Sequence, residues 1–295
     1  MGLVSYSSSS DDEKEDQAPP SKRCRLSTDE SNNPSLPPLP QSFRDLYSSS
    51  VRLSARDDPS LHSGRKRIVP HVPGNWAAHV YLEYHPSATS SELLTSIINE
   101  TRSSYPVPES VTSLLTSPLG VVLPLHISLS APLVLRTENK DAFREAMTDA
   151  LGAVARKVPA LIVAPTRLAW FRNEEGTRAF LVLSVREEKG SLNRLLEASN
   201  GVAERFGCRA LYAGAGKDGE GDAEGAFHIS LAWSLNADEL LGDACCFDKE
   251  SKLTALVERA KELRIDFSEV KLRLGNEVSS EPLGHARQSN RGILG

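Results

Sequence analysis

Two tetrapeptides in this chain are identical: His126-Ile127-Ser128-Leu129 and His228-Ile229-Ser230-Leu231. On a β-strand, residues two apart project from the same face. His126 and Ser128 therefore point one way while Ile127 and Leu129 turn to a core. The second copy does the same, with Ile229, Leu231 and Trp233 inward. Two such faces set across a cleft would bring two imidazoles and two hydroxyls into one small volume. That set suits cleavage of an RNA phosphodiester by its own 2′-hydroxyl. The reaction needs a base for the 2′-OH proton and an acid for the departing 5′-oxygen. Imidazole titrates near neutrality, so one neutral and one protonated ring can coexist at working pH. The serine hydroxyls can donate to the non-bridging oxygens as charge builds on phosphorus. No metal is required, and no cluster of carboxylates has metal-ligand spacing. A third His-x-Ser, His85-Pro86-Ser87, follows the end of a strand pattern and carries a proline, so it reads as loop. His62, His71, His79 and His285 have no comparable context and receive no role.

The surrounding pattern says what must position these strands. Trp76, Ala78, Val80 and Leu82 alternate with His79, Tyr81 and Glu83, which predicts a strand. Thr89-x-x-Glu92 reads as a capping box leading to the stripe Leu93, Leu94, Ile97, Ile98. Val121 to Ser130 reads as a strand, Phe143 to Val154 as a helix stopped before Pro159, and Leu161 to Phe171 as a strand. The order then recurs. Arg178 to Arg186 is a strand, and Leu192 to Phe206 a helix ended by Gly207. Phe227 to Leu235 is a strand, Leu253 to Ala260 a helix, and Val270 to Leu274 a last strand. From first strand to histidine is 51 residues in one half (Asn75 to His126) and 50 in the other (Arg178 to His228). The expected fold is α+β: two pseudo-symmetric β-α-β-α-β lobes, about 74–172 and 178–275, whose antiparallel sheets face a central cleft. Residues 1–63, with an acidic run and a Pro-rich stretch, read as a disordered tail, and 276–295 as a flexible one.

Bulk properties narrow the class. The chain has 295 residues, 39% hydrophobic and 25% charged, with no apolar run of the roughly 20 residues that cross a bilayer. Residues 1–63 carry 7 Lys/Arg against 10 Asp/Glu; the total of 34 against 39 leaves 27 against 29 for the rest. A net charge of −5 disfavours a broad nucleic-acid surface and favours a local cleft for a few nucleotides. Cys24, Cys208, Cys245 and Cys246 form neither a disulfide framework nor a metal knuckle, which fits a reducing compartment. The basic runs Lys22–Arg25 and Arg65–Arg67 could serve as nuclear import signals.

The paired His-x-Ser-x strands resemble the two-histidine (2H) phosphoesterase superfamily. Gly64-Arg65-Lys66-Arg67 through Pro70-His71, then Gly74-Asn75-Trp76-Ala77-Ala78-His79-Val80-Tyr81, is similar to the Usb1-like family that processes U6 small nuclear RNA. Thr177-Arg178-Ala179-Phe180 and the ending of the second motif at Ala232-Trp233 are similar to it too. The likeness covers about residues 64–275. It implies a nuclear 3′–5′ exonuclease, acting as a monomer without cofactor, that trims the uridine-rich 3′ end of U6 RNA and leaves a 2′,3′-cyclic phosphate. In some members that phosphate is opened further. It further implies that His126 is the base and His228 the acid, with Ser128 and Ser230 on the phosphate. Tyr212 matches a family tyrosine that stacks on a base. Here the chain departs from the family: a Gly/acidic stretch, Gly214 to Gly225, intervenes between Tyr212 and His228.

Two other readings stay open at the level of sequence. One is a superfamily relative acting on cyclic nucleotides or tRNA-splicing phosphates, against which the Gly-Asn-Trp segment speaks. The other is an RNA-binding module without activity, against which both intact histidines speak.

Overall fold

A computed structural model describes residues 72–103, 111–117, 119–158, 161–173, 176–213, 226–235 and 252–284. The expected N-terminal tail, both basic runs, Cys24, Cys245, Cys246 and the Gly/acidic stretch lie outside the described residues. So do His62, His71 and His285.

The alternation around Trp76 forms β1 (Asn75–Tyr84), with Ala78, Val80 and Leu82 buried. The helical stripes form α1 (Ala88–Ser103), α2 (Lys140–Ala155), α3 (Ser191–Arg205) and α4 (Lys252–Lys261). The α1 cap differs from the expected Thr89 box. Helix α1 already starts at Ala88, and Ser87 Oγ accepts the Ser90 N–H at 3.2 Å. A serine just outside the helix serves its first turn better than a threonine already inside it. The end of α3 is as expected: Gly207 has φ +71°, Cys208 N–H donates to Ala203 O, and Gly207 N–H to Glu204 O. These are the two bonds of a Schellman stop.

The remaining strands are β2 (Thr112–Ser113), β3 (Leu125–Ser128), β4 (Leu133–Arg136), β5 (Leu161–Arg172), β6 (Ala179–Arg186), β7 (His228–Ser234), β8 (Ile265–Phe267), β9 (Glu269–Leu274) and β10 (Glu277–Pro282). They make two antiparallel sheets. One runs β10-β9-β1-β3, with β4 also paired to β1; the other runs β2-β7-β6-β5-β8. The third strand of each sequence half therefore crosses over. Strand β5 pairs with β6 in the second sheet, and β9 pairs with β1 in the first. The lobes are not the contiguous spans 74–172 and 178–275; each completes its sheet with a strand from the other half. One apolar core runs through both.

Two further departures have plain causes. Strand β3 is much shorter than Val121 to Ser130, because the segment before it folds back on itself. Ser117 N–H donates to Val121 O and Leu123 N–H to Leu115 O, around Gly120 at φ +77°, and Pro124 then separates this turn from β3. Residues after Asn276 do not all form a tail. Glu277–Pro282 is an edge strand on β9, held by backbone pairing and by Arg144 and Lys140 ion pairs to Glu277 at 3.3 and 3.8 Å. Apart from Val278 and Pro282 its side chains are polar, and none is buried, so it carries no apolar period.

The Gly-Asn-Trp segment acts as a clasp. Trp76 Nε1 donates to Thr137 Oγ1 at 3.1 Å, the Lys140 ammonium lies 4.0 Å over its ring, and Gly275 lies beneath. A Cβ on Gly275 would come within 2.9 Å of the indole.

Candidate active site

Strand β3 carries His126 and Ser128 alongside β1, in register Glu83 opposite His126 and Tyr81 opposite Ser128. The pleat puts His79, Tyr81 and Glu83 on that same face. Strand β9 adds Lys271 opposite Tyr81 and Arg273 opposite His79. The His79 ring stacks on Tyr81 at 5.2 Å and 17°. Both rings meet His126 edge-on, at 5.4 and 5.9 Å. His79 Nε2 is 3.1 Å from Ser128 Oγ.

Strand β7 carries His228 and Ser230 in the second sheet, and packs against β3, so the two motifs lie side by side. His228 Nδ1–H donates to Ala226 O at 2.8 Å. That bond fixes the tautomer and leaves Nε2 as the atom able to take or give a proton. Phe171 lies nearly parallel to His228, 6.1 Å away and 16° off. The Arg167 guanidinium is 5.6 Å from the Phe171 ring. Tyr212 stands just before this segment in space, edge-on to Phe227 at 5.9 Å. It is the one non-glycine residue with positive φ (+57°) among the described residues. That conformation is strained for an aromatic side chain. Burial pushes its phenol up to about 12.

Charge is tightly managed around His126. Lys271 is fully buried, and its ammonium is 2.6 Å from Glu83 and 3.4 Å from Glu269. Burial alone would raise the Glu83 carboxyl; hydrogen bonds from His85 and Lys271, with their charge, overcome that and hold it below its ordinary value. His126 is exposed at its edge, yet His79, Tyr81, Glu83 and His228 stand around it and thin the water about it. Burial is the main cause that lowers its pKa below 6.5, the His228 charge lowers it further, and Glu83 opposes both. His228 is also lowered by burial, against the supporting bond to Ala226. His79 falls to about 3, from burial first and then from His126 and Arg273. It is neutral throughout the working range.

The sign of these shifts sets a pH dependence. Were His126 and His228 a base and an acid, activity would rise as the base loses its proton and fall as the acid loses its own. With both histidines below 6.5, the kcat/KM maximum lies at or below pH 6.5. A bound phosphate favours both imidazolium forms, so the kcat maximum moves alkaline of it. A kcat/KM maximum above pH 7.5 would contradict this pairing.

The structure thus brings together His126, Ser128, His228 and Ser230, with Tyr212 beside the second motif. It adds residues that the motif reading passed over: His79, Tyr81, Glu83, Lys271 and Phe171. The signal for the first three was the polar side of the β1 alternation, which also describes any solvent-facing strand. Among the described residues, no group of three or more His, Cys, Asp or Glu side chains is arranged to hold a metal ion.

The model of the HVSL family, described as an uncharacterised conserved protein, matches residues 37–282. The U6 snRNA phosphodiesterase 1 of Neurospora crassa is 40% identical over 222 residues, which cover 68% of this chain. The match spans 59% of the length of that relative. The U6 snRNA phosphodiesterase 1 of Xenopus laevis is 28% identical over 294 residues, 96% of this chain and 100% of that protein. The solved structure of Kluyveromyces marxianus Usb1 with uridine monophosphate is 16% identical and covers 70% of this chain and 98% of that one, at a TM-score of 0.49. By the family model, which matches well over half of its length, the chain belongs to the HVSL family.

Proposed function

We propose that this chain is a metal-independent 3′–5′ RNA phosphodiesterase that trims the uridine-rich 3′ end of U6 snRNA in the nucleus, acting as a monomer. The observation that supports the reading is the adjacency of β3 and β7, the two strands that carry the His-x-Ser motifs. His126 takes the proton from the 2′-hydroxyl, whose oxygen attacks phosphorus. The bond from phosphorus to the 5′-oxygen breaks, and His228 Nε2–H protonates that oxygen as it leaves. The product is a shortened RNA ending in a 2′,3′-cyclic phosphate, and opening of that ring by water would use the same two histidines in exchanged roles. The asymmetry of the pair favours this assignment. His228 has a carbonyl bond that supports its cation, as an acid needs. Ser128 and Ser230 donate to the non-bridging oxygens. Tyr212, held in a strained backbone conformation beside the His228 segment, offers a stacking face to one base. Relatives named U6 snRNA phosphodiesterase 1 favour this substrate over small cyclic phosphates.

The test is an oligouridine RNA incubated with purified protein in excess EDTA, with mass spectrometry of the 3′ ends. We expect an undiminished rate and 2′,3′-cyclic phosphate ends. Loss of activity in EDTA, restored by a divalent ion, would sink the proton-transfer mechanism.

A further inference from the structure

His79 sits against the reacting group without a role in the chemistry above. Its Nε2 is 3.1 Å from Ser128 Oγ. Its ring is packed flat on Tyr81, itself only 9% exposed, and edge-on against His126. Held between two rings, the imidazole has little freedom to turn away from the serine. We propose that His79 is a positioning residue: its Nε2–H donates to Ser128 Oγ and so directs the serine's own hydroxyl hydrogen at a non-bridging phosphate oxygen. The inference rests on the reaction proposed above.

The reason lies in how many bonds a hydroxyl can make. Serine has one hydrogen to give and two lone pairs to offer. Were Nε2 the acceptor, Ser128 would spend its hydrogen on His79 and present only lone pairs to an anion. With Nε2–H as donor, a lone pair is used and the hydrogen stays free for charge that grows on phosphate oxygen in the transition state. The device requires a neutral His79, because an imidazolium there would repel the proton that His126 must take up. Burial and the neighbouring His126 and Arg273 keep it neutral.

The experiment compares His79→Ala, His79→Gln, His79→Asn, Ser128→Ala and the double variant His79→Ala/Ser128→Ala on oligouridine, with thermal melts of each. Ser128→Ala and His79→Ala should each lower kcat about tenfold with little change in KM, and the double variant should be no worse than Ser128→Ala. The glutamine amide reaches the place of Nε2 and should restore most of kcat; the shorter asparagine should not. A phosphorothioate with sulfur at the oxygen facing Ser128 should slow the unaltered protein, and that effect should vanish in both single alanine variants. Additive losses, a retained sulfur effect in His79→Ala, or no rescue by glutamine would overturn the role of His79. Should His79→Ala fail to fold, the glutamine and asparagine variants carry the comparison. An unaltered protein inert on oligouridine would instead sink the reaction itself.

Discussion

His126→Ala and His228→Ala each lower kcat on oligouridine by at least about 10²-fold, while the protein stays folded. The size follows from what each ring does. Without His126 the 2′-hydroxyl must surrender its proton to water, and without His228 the 5′-oxygen must leave as an alkoxide. Folding is spared because neither ring is part of the apolar core: His126 opens to the cleft and His228 is half-buried. The double variant is little worse than either single one, since acid and base serve one displacement and the loss of either already removes the concerted route. Steady-state kinetics with matched thermal melts decide the matter. Near-normal cleavage by either single variant would refute the pairing of the two motifs. Ser128→Ala and Ser230→Ala cost less, because each removes one hydrogen bond to the phosphate and leaves both proton transfers in place.

RNA without the 2′-hydroxyl upstream of the scissile bond resists cleavage altogether. The nucleophile in this mechanism belongs to the substrate, so a 2′-deoxy or 2′-O-methyl group removes it. Such an oligomer still places its phosphate between the motifs and its base against an aromatic face. It therefore behaves as a competitive inhibitor of the unmodified RNA. Inhibition kinetics and gel analysis of the modified strand give the answer together. Efficient cleavage of the 2′-deoxy oligomer would make water the nucleophile, and His126 would then have to activate water instead.

Much of the site was legible because a strand has the simplest period a sequence can carry. His-x-Ser with apolar residues between places histidine and serine on one face, and β3 and β7 bear this out. The helical stripes are equally legible: Leu93, Leu94, Ile97 and Ile98 are all buried in α1. What the pattern cannot contain is which strand lies beside which. Leu161 to Phe171 reads as a strand in either arrangement, and only long-range packing assigns β5 to the second sheet. Lys271 was hidden by the same limit. Between Val270 and Leu272 it reads as the wet side of a last strand, yet next to β1 it is fully buried on Glu83. His79 and Tyr81 were hidden for a related reason: only the pairing of β1 with β3 brings their rings against His126. Strands β2 and β8, of two and three residues, are shorter than any period can reveal.

The crossing of β9 into the first sheet also orders events in time. Lys271 and Glu83 meet across 188 residues of chain, so the wall behind His126 is closed by one of the most distant pairings in the molecule. Such pairings form late, because the loop between them must be closed before any contact rewards it. A chain emerging from the ribosome can complete α1, α2 and the β5–β6 hairpin while Glu83 still lacks its lysine and His126 its finished sheet. Under the proposed reaction, a chain whose β9 has not yet docked would carry both motifs without the buried Lys271–Glu83 pair that completes the wall behind His126.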